Sequence, residues 1–97
     1  MSERRGIGQG ERAPSRNPGV LSRAAEDWVF LFNTSTNELF RVNATGGRIW
    51  DLLGKGQSAE EMAVTISGEF EESDLGRVKA GVNAFLKELS KRELIDL

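Results

Sequence analysis

The chain has 97 residues, of which 38% are hydrophobic and 29% are charged, and its formal net charge is −2. This length allows one domain at most, and the composition is ordinary for a globular chain. Cysteine, histidine and tyrosine are all absent from the sequence. Disulfides, thiolate chemistry and the usual general base and transition-metal ligand are therefore excluded.

Charge divides the chain into two parts. Residues 1–23 carry five arginines and two glutamates, a net charge of +3, whereas the remainder carries eight basic and thirteen acidic side chains, a net charge of −5. Residues 1–18 contain too few large apolar side chains to offset the entropy of ordering them. We predict a disordered basic tail over 1–18 and a folded domain over 19–97. Neither a signal peptide nor a membrane span is present, so we expect a cytoplasmic protein with no membrane partner.

The second of three predicted strands is the most clearly marked. Residues 26–33 are rich in aromatic and β-branched side chains, which favour strands. Alternation places large apolar groups on both faces of this strand, as expected of a central strand. One face carries Trp28, Phe30 and Phe32, and the other carries Val29 and Leu31.

The other two predicted strands flank this one. Residues 19–24 form a weakly marked first strand, and residues 38–42 form the third. A polar turn over 33–37, with asparagine at both ends, joins the second strand to the third. In a simple antiparallel meander the third strand lies at the edge of the sheet.

Three helices follow the strands. Asn43 is expected to cap the first helix, which stops near Gly54. Ser58 and Glu61 form the pattern of a capping box at the start of the second helix. Ser73 is expected to cap a third helix that runs down to Arg92. The element order predicts an α+β, winged-helix-like fold in which a three-stranded antiparallel sheet is followed by a three-helix bundle, with Trp28 and Trp50 in its core.

The sequence contains no catalytic constellation. Most of its carboxylates belong to helix N-terminal turns and exposed helix faces, where they are solvated and interact with the helix dipole. The glycine-rich segment 6–10 has no strand before it, so it is a weak match to a phosphate-binding loop. Gly46 and Gly47 could direct N–H groups at an anion from the start of a helix, but the lysine and serine or threonine of a nucleotide-binding loop are missing there. We therefore expect neither enzymatic activity nor a bound cofactor or metal.

Two binding functions remain possible. A winged-helix fold suggests sequence-specific DNA binding, and the third helix carries the cations Arg77, Lys79, Lys87, Lys91 and Arg92. The acidic second helix and the net charge of −5 outside the basic segment oppose this hypothesis, and no nucleic acid is expected as the partner. The alternative is peptide capture, in which an extended segment pairs with the exposed edge between Leu39 and Arg41.

Several motifs, in order and spacing, resemble those of the PqqD-like family. The run over 42–53, Val-Asn-Ala-Thr-Gly-Gly-Arg-Ile-Trp-Asp-Leu-Leu, and the run over 56–63, Gly-Gln-Ser-Ala-Glu-Glu-Met-Ala, are the main ones. The closing apolar positions Val78, Val82, Phe85, Leu86, Leu89, Leu94 and Ile95 continue the resemblance, which covers 19–97. One departure is Glu93, where the family often has glycine before the final aliphatic pair.

This resemblance implies a peptide chaperone, or recognition element, for ribosomally made and post-translationally modified peptides. Such proteins hold the leader of a precursor peptide and present it to a modifying enzyme, often a radical S-adenosylmethionine protein. The leader would add as a strand beside 38–42 and lie against the third helix. The resemblance thus implies a peptide-binding site formed by Glu38, Leu39, Phe40, Arg41, Val42, Val78, Val82 and Phe85. An open edge also allows either a monomer or a strand-exchanged dimer.

Overall fold

The computed structural model describes residues 13–71 and 74–97. Within them lie strands β1 (Ser15–Arg16), β2 (Val20–Ala25), β3 (Trp28–Asn33) and β4 (Glu38–Asn43), helices α1 (Ala44–Gly54), α2 (Ala59–Glu69) and α3 (Leu75–Lys91), and strand β5 (Ile95–Asp96). The predicted order of three antiparallel strands followed by three helices is confirmed. No helix in these two ranges is both long and apolar enough to cross a membrane.

Strands β2, β3 and β4 form the main sheet, in that order and all antiparallel. The predicted meander is therefore correct, with β3 at its centre and β4 at one edge. Leu31 on β3 lies between Ser22 on β2 and Phe40 on β4. Its side chain is fully buried, because the helices pack against this face of the sheet.

The core lies between this face and the three helices. Helix α1 approaches the sheet closely at Gly47, where a Cβ atom would lie 2.5 Å from Cγ2 of Val29. Trp50 is 2% exposed, which confirms its predicted core position. The buried apolar residues are Leu31, Ile49, Trp50, Leu52, Leu53, Met62, Ala63, Ile66, Val82, Leu86, Leu89, Leu94 and Ile95.

Trp28 does not belong to this core, and the prediction that it would do so is wrong. Its side chain is 39% exposed. The strand alternation places it on the face opposite Leu31, where no helix of the described chain covers it. Instead, the guanidinium carbon of Arg41 lies 4.0 Å from the centroid of the Trp28 ring, a cation–π contact.

Side-chain caps start all three helices. The Asn43 side chain accepts a hydrogen bond from the Gly46 N–H (2.9 Å), and Ser58 and Glu61 form the predicted reciprocal box. Helix α3 begins one residue later than predicted, because Asp74 is its cap and accepts from a backbone N–H of the first turn (3.1 Å). The expected cap at Ser73 is therefore wrong, and Ser73 itself lies outside the described residues.

The segment before β2 is folded, which changes the predicted boundary of the tail. Strand β1 pairs antiparallel with β5, and the Asn17 N–H donates to the Leu94 carbonyl (2.9 Å). The Arg16 guanidinium donates twice to the Trp50 carbonyl, at 3.0 and 2.6 Å. Residues 13–18 thus belong to the folded body, since tertiary contacts compensate for their polar composition. The rest of the predicted tail, 1–12, lies outside the described residues.

The C-terminus of α3 is held against the hairpin between β3 and β4. After the cap residue Arg92, Glu93 adopts a left-handed conformation (φ 60°), and the Leu94 N–H donates to the Leu89 carbonyl (3.0 Å). The buried Asn33 side chain donates to the Glu93 carbonyl (3.1 Å). A left-handed residue directly after a helix is usually glycine, so Glu93 occupies a position where its backbone conformation is unfavourable for a residue with a side chain.

Candidate functional site

The outer rim of β4 carries backbone groups that no strand of the described chain pairs with. Thr34 is the residue after β3, and its N–H donates to the carbonyl of Gly19, the residue before β2 (3.0 Å). The backbone groups of Thr34 therefore face β2. Because these groups alternate along a strand, those of Leu31 face β4 and pair with Phe40. The N–H and C=O groups of Leu39 and Arg41 therefore point outward. Of Leu39, Phe40 and Arg41 on the predicted edge, only Leu39 and Arg41 therefore offer backbone groups to a peptide, since the backbone of Phe40 faces β3.

The inner face of β4 forms one wall of a groove. Phe40 and Val42 share this face, and both pack against the core. Between them and α3 lies a cavity of about 260 Å³. Its lining residues are Phe40, Arg41, Val42, Phe85, Glu88, Leu89, Arg92 and Leu94.

A larger cavity of about 420 Å³ lies beside the junction of β4 and α1. Its lining residues are Asn43, Thr45, Gly46, Ile49, Ile66, Phe70, Arg77, Val78, Gly81, Val82 and Phe85. Phe85 borders both cavities, so they lie next to each other along α3 with this residue between them. We call the two cavities together, defined by their two sets of lining residues, the β4–α3 groove.

The three helix residues predicted for the site all line the larger cavity. Val78 and Phe85 are half-buried and so keep accessible surface in the groove, whereas Val82 is 3% exposed and mainly belongs to the core. On β4, Phe40 and Val42 line the smaller cavity, and Arg41 stands at its rim. Glu38 and Leu39 are exposed and line neither cavity. Peptide binding by these residues remains a prediction.

Sequence reasoning missed the walls that α1 and α2 supply. Ile49, Ile66 and Phe70 complete the larger cavity, and Phe70 is 50% exposed at the end of α2. Gly81 was also missed, although it lies on the same helical face as Val78 and leaves space there. The three-residue spacing from Val78 could have identified Gly81 in the sequence. The residues that α1 and α2 contribute could not be identified in this way, because their position depends on how the helices pack.

Two ion pairs connect α2 with the other two helices that line the groove. Arg48 on α1 donates to both carboxylate oxygens of Glu69 on α2, at 2.8 and 2.6 Å. These hydrogen bonds lower the pKa of Glu69 and raise the pKa of Arg48. Lys79 on α3 donates to Glu60 on α2 (2.7 Å), which lowers the pKa of that carboxyl. Both pairs are solvent-exposed, so each contributes little to the stability of the fold.

The cations of α3 do not form one free basic face. Lys79 is paired with Glu60, and Arg92 is paired with Glu88 (2.9 Å). Arg92 also lies over the Phe40 ring, 4.8 Å from its centroid. Contacts within the protein therefore engage two of the five cations on which the DNA-binding alternative depended, and this weakens it.

Comparison with known proteins identifies the family. A family model described as Coenzyme PQQ synthesis protein D (PqqD) matches residues 29–95. The chain belongs to the PqqD family. Residues 29–95 run from β3 to β5 and so include every element that lines the β4–α3 groove.

Two solved structures resemble this PqqD-family chain. TbiB1 in complex with the TbiA(beta) leader peptide has a TM-score of 0.78 and 32% identity, over 84% of this chain and 93% of that one. Lasso peptide synthetase B1 complexed with the leader peptide has a TM-score of 0.73 over 87% of this chain and 96% of that one; at 19% identity it shows a shared fold alone. No curated protein matches the chain.

Proposed function

We propose that this chain is a recognition element for the leader of a ribosomally synthesised precursor peptide. The observation that carries the proposal is an edge strand, β4, whose outward backbone groups lie beside an apolar groove. Membership of the PqqD family supports it, as does the similar fold of two proteins solved with leader peptides. The binding unit in this proposal is the domain over 19–97 together with strand β1, which belongs to the same folded body through its pairing with β5.

In the proposed complex the leader adds to β4 as a fourth strand of the sheet. Backbone groups of Leu39 and Arg41 pair with it and supply sequence-independent affinity. Side chains alternate along the added strand, so every second one faces the β4–α3 groove, at intervals of about 7 Å. The smaller cavity beside Phe40 and the larger one beside Val78 then receive successive apolar anchors of the leader.

The chemistry on the precursor belongs to a separate enzyme in this proposal. The sequence has no histidine or cysteine, and several of its carboxylates, including Glu60, Glu61 and Glu69, are used in a helix cap or in surface ion pairs. We propose that the chain is not itself catalytic and presents the core of the bound precursor to a modifying enzyme, of which radical S-adenosylmethionine proteins are one class. In this proposal the chain itself is a monomer or a strand-exchanged dimer, and it acts in the cytoplasm.

A binding assay tests this function directly. Fluorescently labelled leader peptides encoded beside the gene are titrated with the protein, and the anisotropy is recorded. The control is a scrambled leader of the same composition, which keeps net charge and apolar content. We expect saturable one-to-one binding of a cognate leader and none of its scrambled form. Equal affinity for both, or binding of duplex DNA but of no leader, would overturn the proposal.

A further inference from the structure

The face of the sheet opposite the helices carries a second apolar surface. Leu21, Phe32 and Leu39 form one cross-strand row on this face. The next row consists of Arg23, Phe30 and Arg41, and Trp28 lies beyond it. We call this set, Leu21, Arg23, Trp28, Phe30, Phe32, Leu39 and Arg41, the outer sheet face. It contains a shallow depression of about 560 Å³.

This surface is open to solvent in the described part of the chain. Leu21 and Leu39 are each 62% exposed, and Trp28 is 39% exposed. Sheets with one solvated face normally alternate apolar and polar residues so that the open face is polar. β3 instead presents three aromatic side chains there. Contiguous exposed apolar surface of this kind marks an interaction site.

Charge distinguishes the possible occupants of the outer sheet face. Arg23 and Arg41 lie in one row, and neither forms an ion pair with any residue the structure describes. Glu26 and Asp27 lie in the turn at one end of the face. A second copy packed face to face would bring four guanidinium groups together, an unfavourable like-charge arrangement. The complementary surface is apolar at its centre and carries carboxylates opposite the arginines.

The outer sheet face is also continuous with the proposed peptide site. Leu39 and Arg41 contribute their side chains to this face and their outward backbone groups to the rim of β4. A leader added to β4 would turn every second side chain toward the outer face and widen it by one strand. A protein docked there would contact the recognition element and the bound leader together.

We propose that the outer sheet face is the docking surface for the modifying enzyme that acts on the bound precursor. This proposal rests on the proposed function. The enzyme presents an apolar patch with carboxylates that meet Arg23 and Arg41, and the leader strand forms part of the same interface. Leader binding therefore strengthens the association with the enzyme.

Substitutions on β2 separate this surface from the leader site, because β2 is the edge strand opposite β4. Leu21→Glu places a charge in the apolar centre, and Arg23→Glu reverses one of the two cations. Val64→Glu is the matched control, because Val64 is 56% exposed on α2 and lies outside both surfaces. Circular dichroism melts establish that each variant is folded.

Two affinities are measured for each variant by isothermal titration calorimetry: for the leader, and for the modifying enzyme encoded beside the gene, with and without leader. We expect unchanged leader affinity throughout. Enzyme affinity should fall about tenfold or more in Leu21→Glu and Arg23→Glu, a loss typical of substitutions at interface hot spots, and stay unchanged in Val64→Glu. In the unsubstituted protein, added leader should raise enzyme affinity.

The outcomes distinguish the two proposals. If the unsubstituted protein binds no leader, the proposed function fails. If it binds leader but no enzyme, or if Leu21→Glu and Arg23→Glu bind the enzyme as tightly as the unsubstituted protein does, the docking surface is overturned. A dimer in sedimentation that Leu21→Glu dissociates would assign the face to a second copy instead. Binding to phosphatidylglycerol vesicles that both β2 variants abolish would assign it to an anionic membrane, and would equally overturn the proposal.

Discussion

The ring of Phe85 lies directly against Gly46. A Cβ atom built at Gly46 would lie 2.8 Å from Cζ of Phe85 and 3.0 Å from Cβ of Val42. Glycine therefore lets α3 approach the point where β4 continues into α1. Because Phe85 borders both cavities of the β4–α3 groove, this contact sets the width of the groove at its middle.

Gly46→Ala tests whether this contact shapes the groove. The added methyl group must displace Phe85 or shift α1, which we expect to cost about 1–3 kcal/mol in the free energy of unfolding, and to weaken leader binding. The matched control is Gly68→Ala on α2, where no neighbouring atom lies within 4 Å of the added Cβ. Its effect should be neutral or stabilising, by up to about 1 kcal/mol. Stability is measured by urea unfolding and leader affinity by titration, for both variants. Equal stability of Gly46→Ala and Gly68→Ala would contradict the close contact.

Phe85→Ala tests the groove wall itself. Removing the ring merges the two cavities and takes away the apolar surface that an anchor of the leader would contact. We expect leader affinity to fall about tenfold or more, measured well below the midpoint of thermal unfolding, since loss of a partly buried ring also lowers stability. Leu75→Ala is the control: this side chain is 37% exposed on the same helix and lines neither cavity. Equal loss of affinity in both variants would argue against a specific anchor at Phe85.

Two proline substitutions test strand addition at β4. Arg41→Pro removes an N–H that points outward, whereas Phe40→Pro removes an N–H that pairs with β3. We therefore expect Arg41→Pro to remain folded but to lose leader binding. Phe40→Pro should be destabilised by about 3 kcal/mol or more, because it removes a hydrogen bond to β3 and also the aromatic ring that packs against the core. Far-ultraviolet circular dichroism with urea unfolding, followed by leader titration, measures both. A folded Arg41→Pro variant that binds leader with full affinity would exclude pairing along this rim.

Glu93→Gly tests the strain at the end of α3. Glu93 has a φ of 60°, a conformation that costs a non-glycine residue about 1 kcal/mol. Glycine adopts it freely, so we expect the free energy of unfolding to rise by about 0.5–1 kcal/mol. Glu93→Ala separates this backbone effect from the loss of the carboxylate, and should not stabilise. Equal stability of the two variants in urea unfolding would show that the backbone is not strained.

Local chemistry made much of the fold predictable. Asn43, Ser58 and Glu61 mark two helix starts because caps depend on neighbouring residues alone. The central position of β3 in the sheet was predictable because alternation places apolar side chains on both of its faces. The pairing of Ser15–Arg16 with Ile95–Asp96 was not predictable, since it joins opposite ends of the described chain through tertiary contacts.

The candidate site was only partly predictable, for a similar reason. Helical spacing brought Val78 and Phe85 to one face, but the walls at Ile49 and Ile66 depend on how α1 and α2 pack. Trp28 and Trp50 have the same side chain and opposite burial. The whole fold decides which face of the sheet the helices cover. For the same reason the sequence did not show that the outer sheet face would be left exposed.

Amide chemical shifts of the ¹⁵N-labelled protein, titrated with the cognate leader, test the central claim most directly. We expect the largest shifts at Leu39 and Arg41, whose outward N–H groups acquire a partner, and along α3 at Val78 and Phe85. Cross-strand nuclear Overhauser effects between the leader and β4 should accompany them. Shifts confined to β2 or α2, with β4 unchanged, would contradict leader recognition by strand addition at this edge.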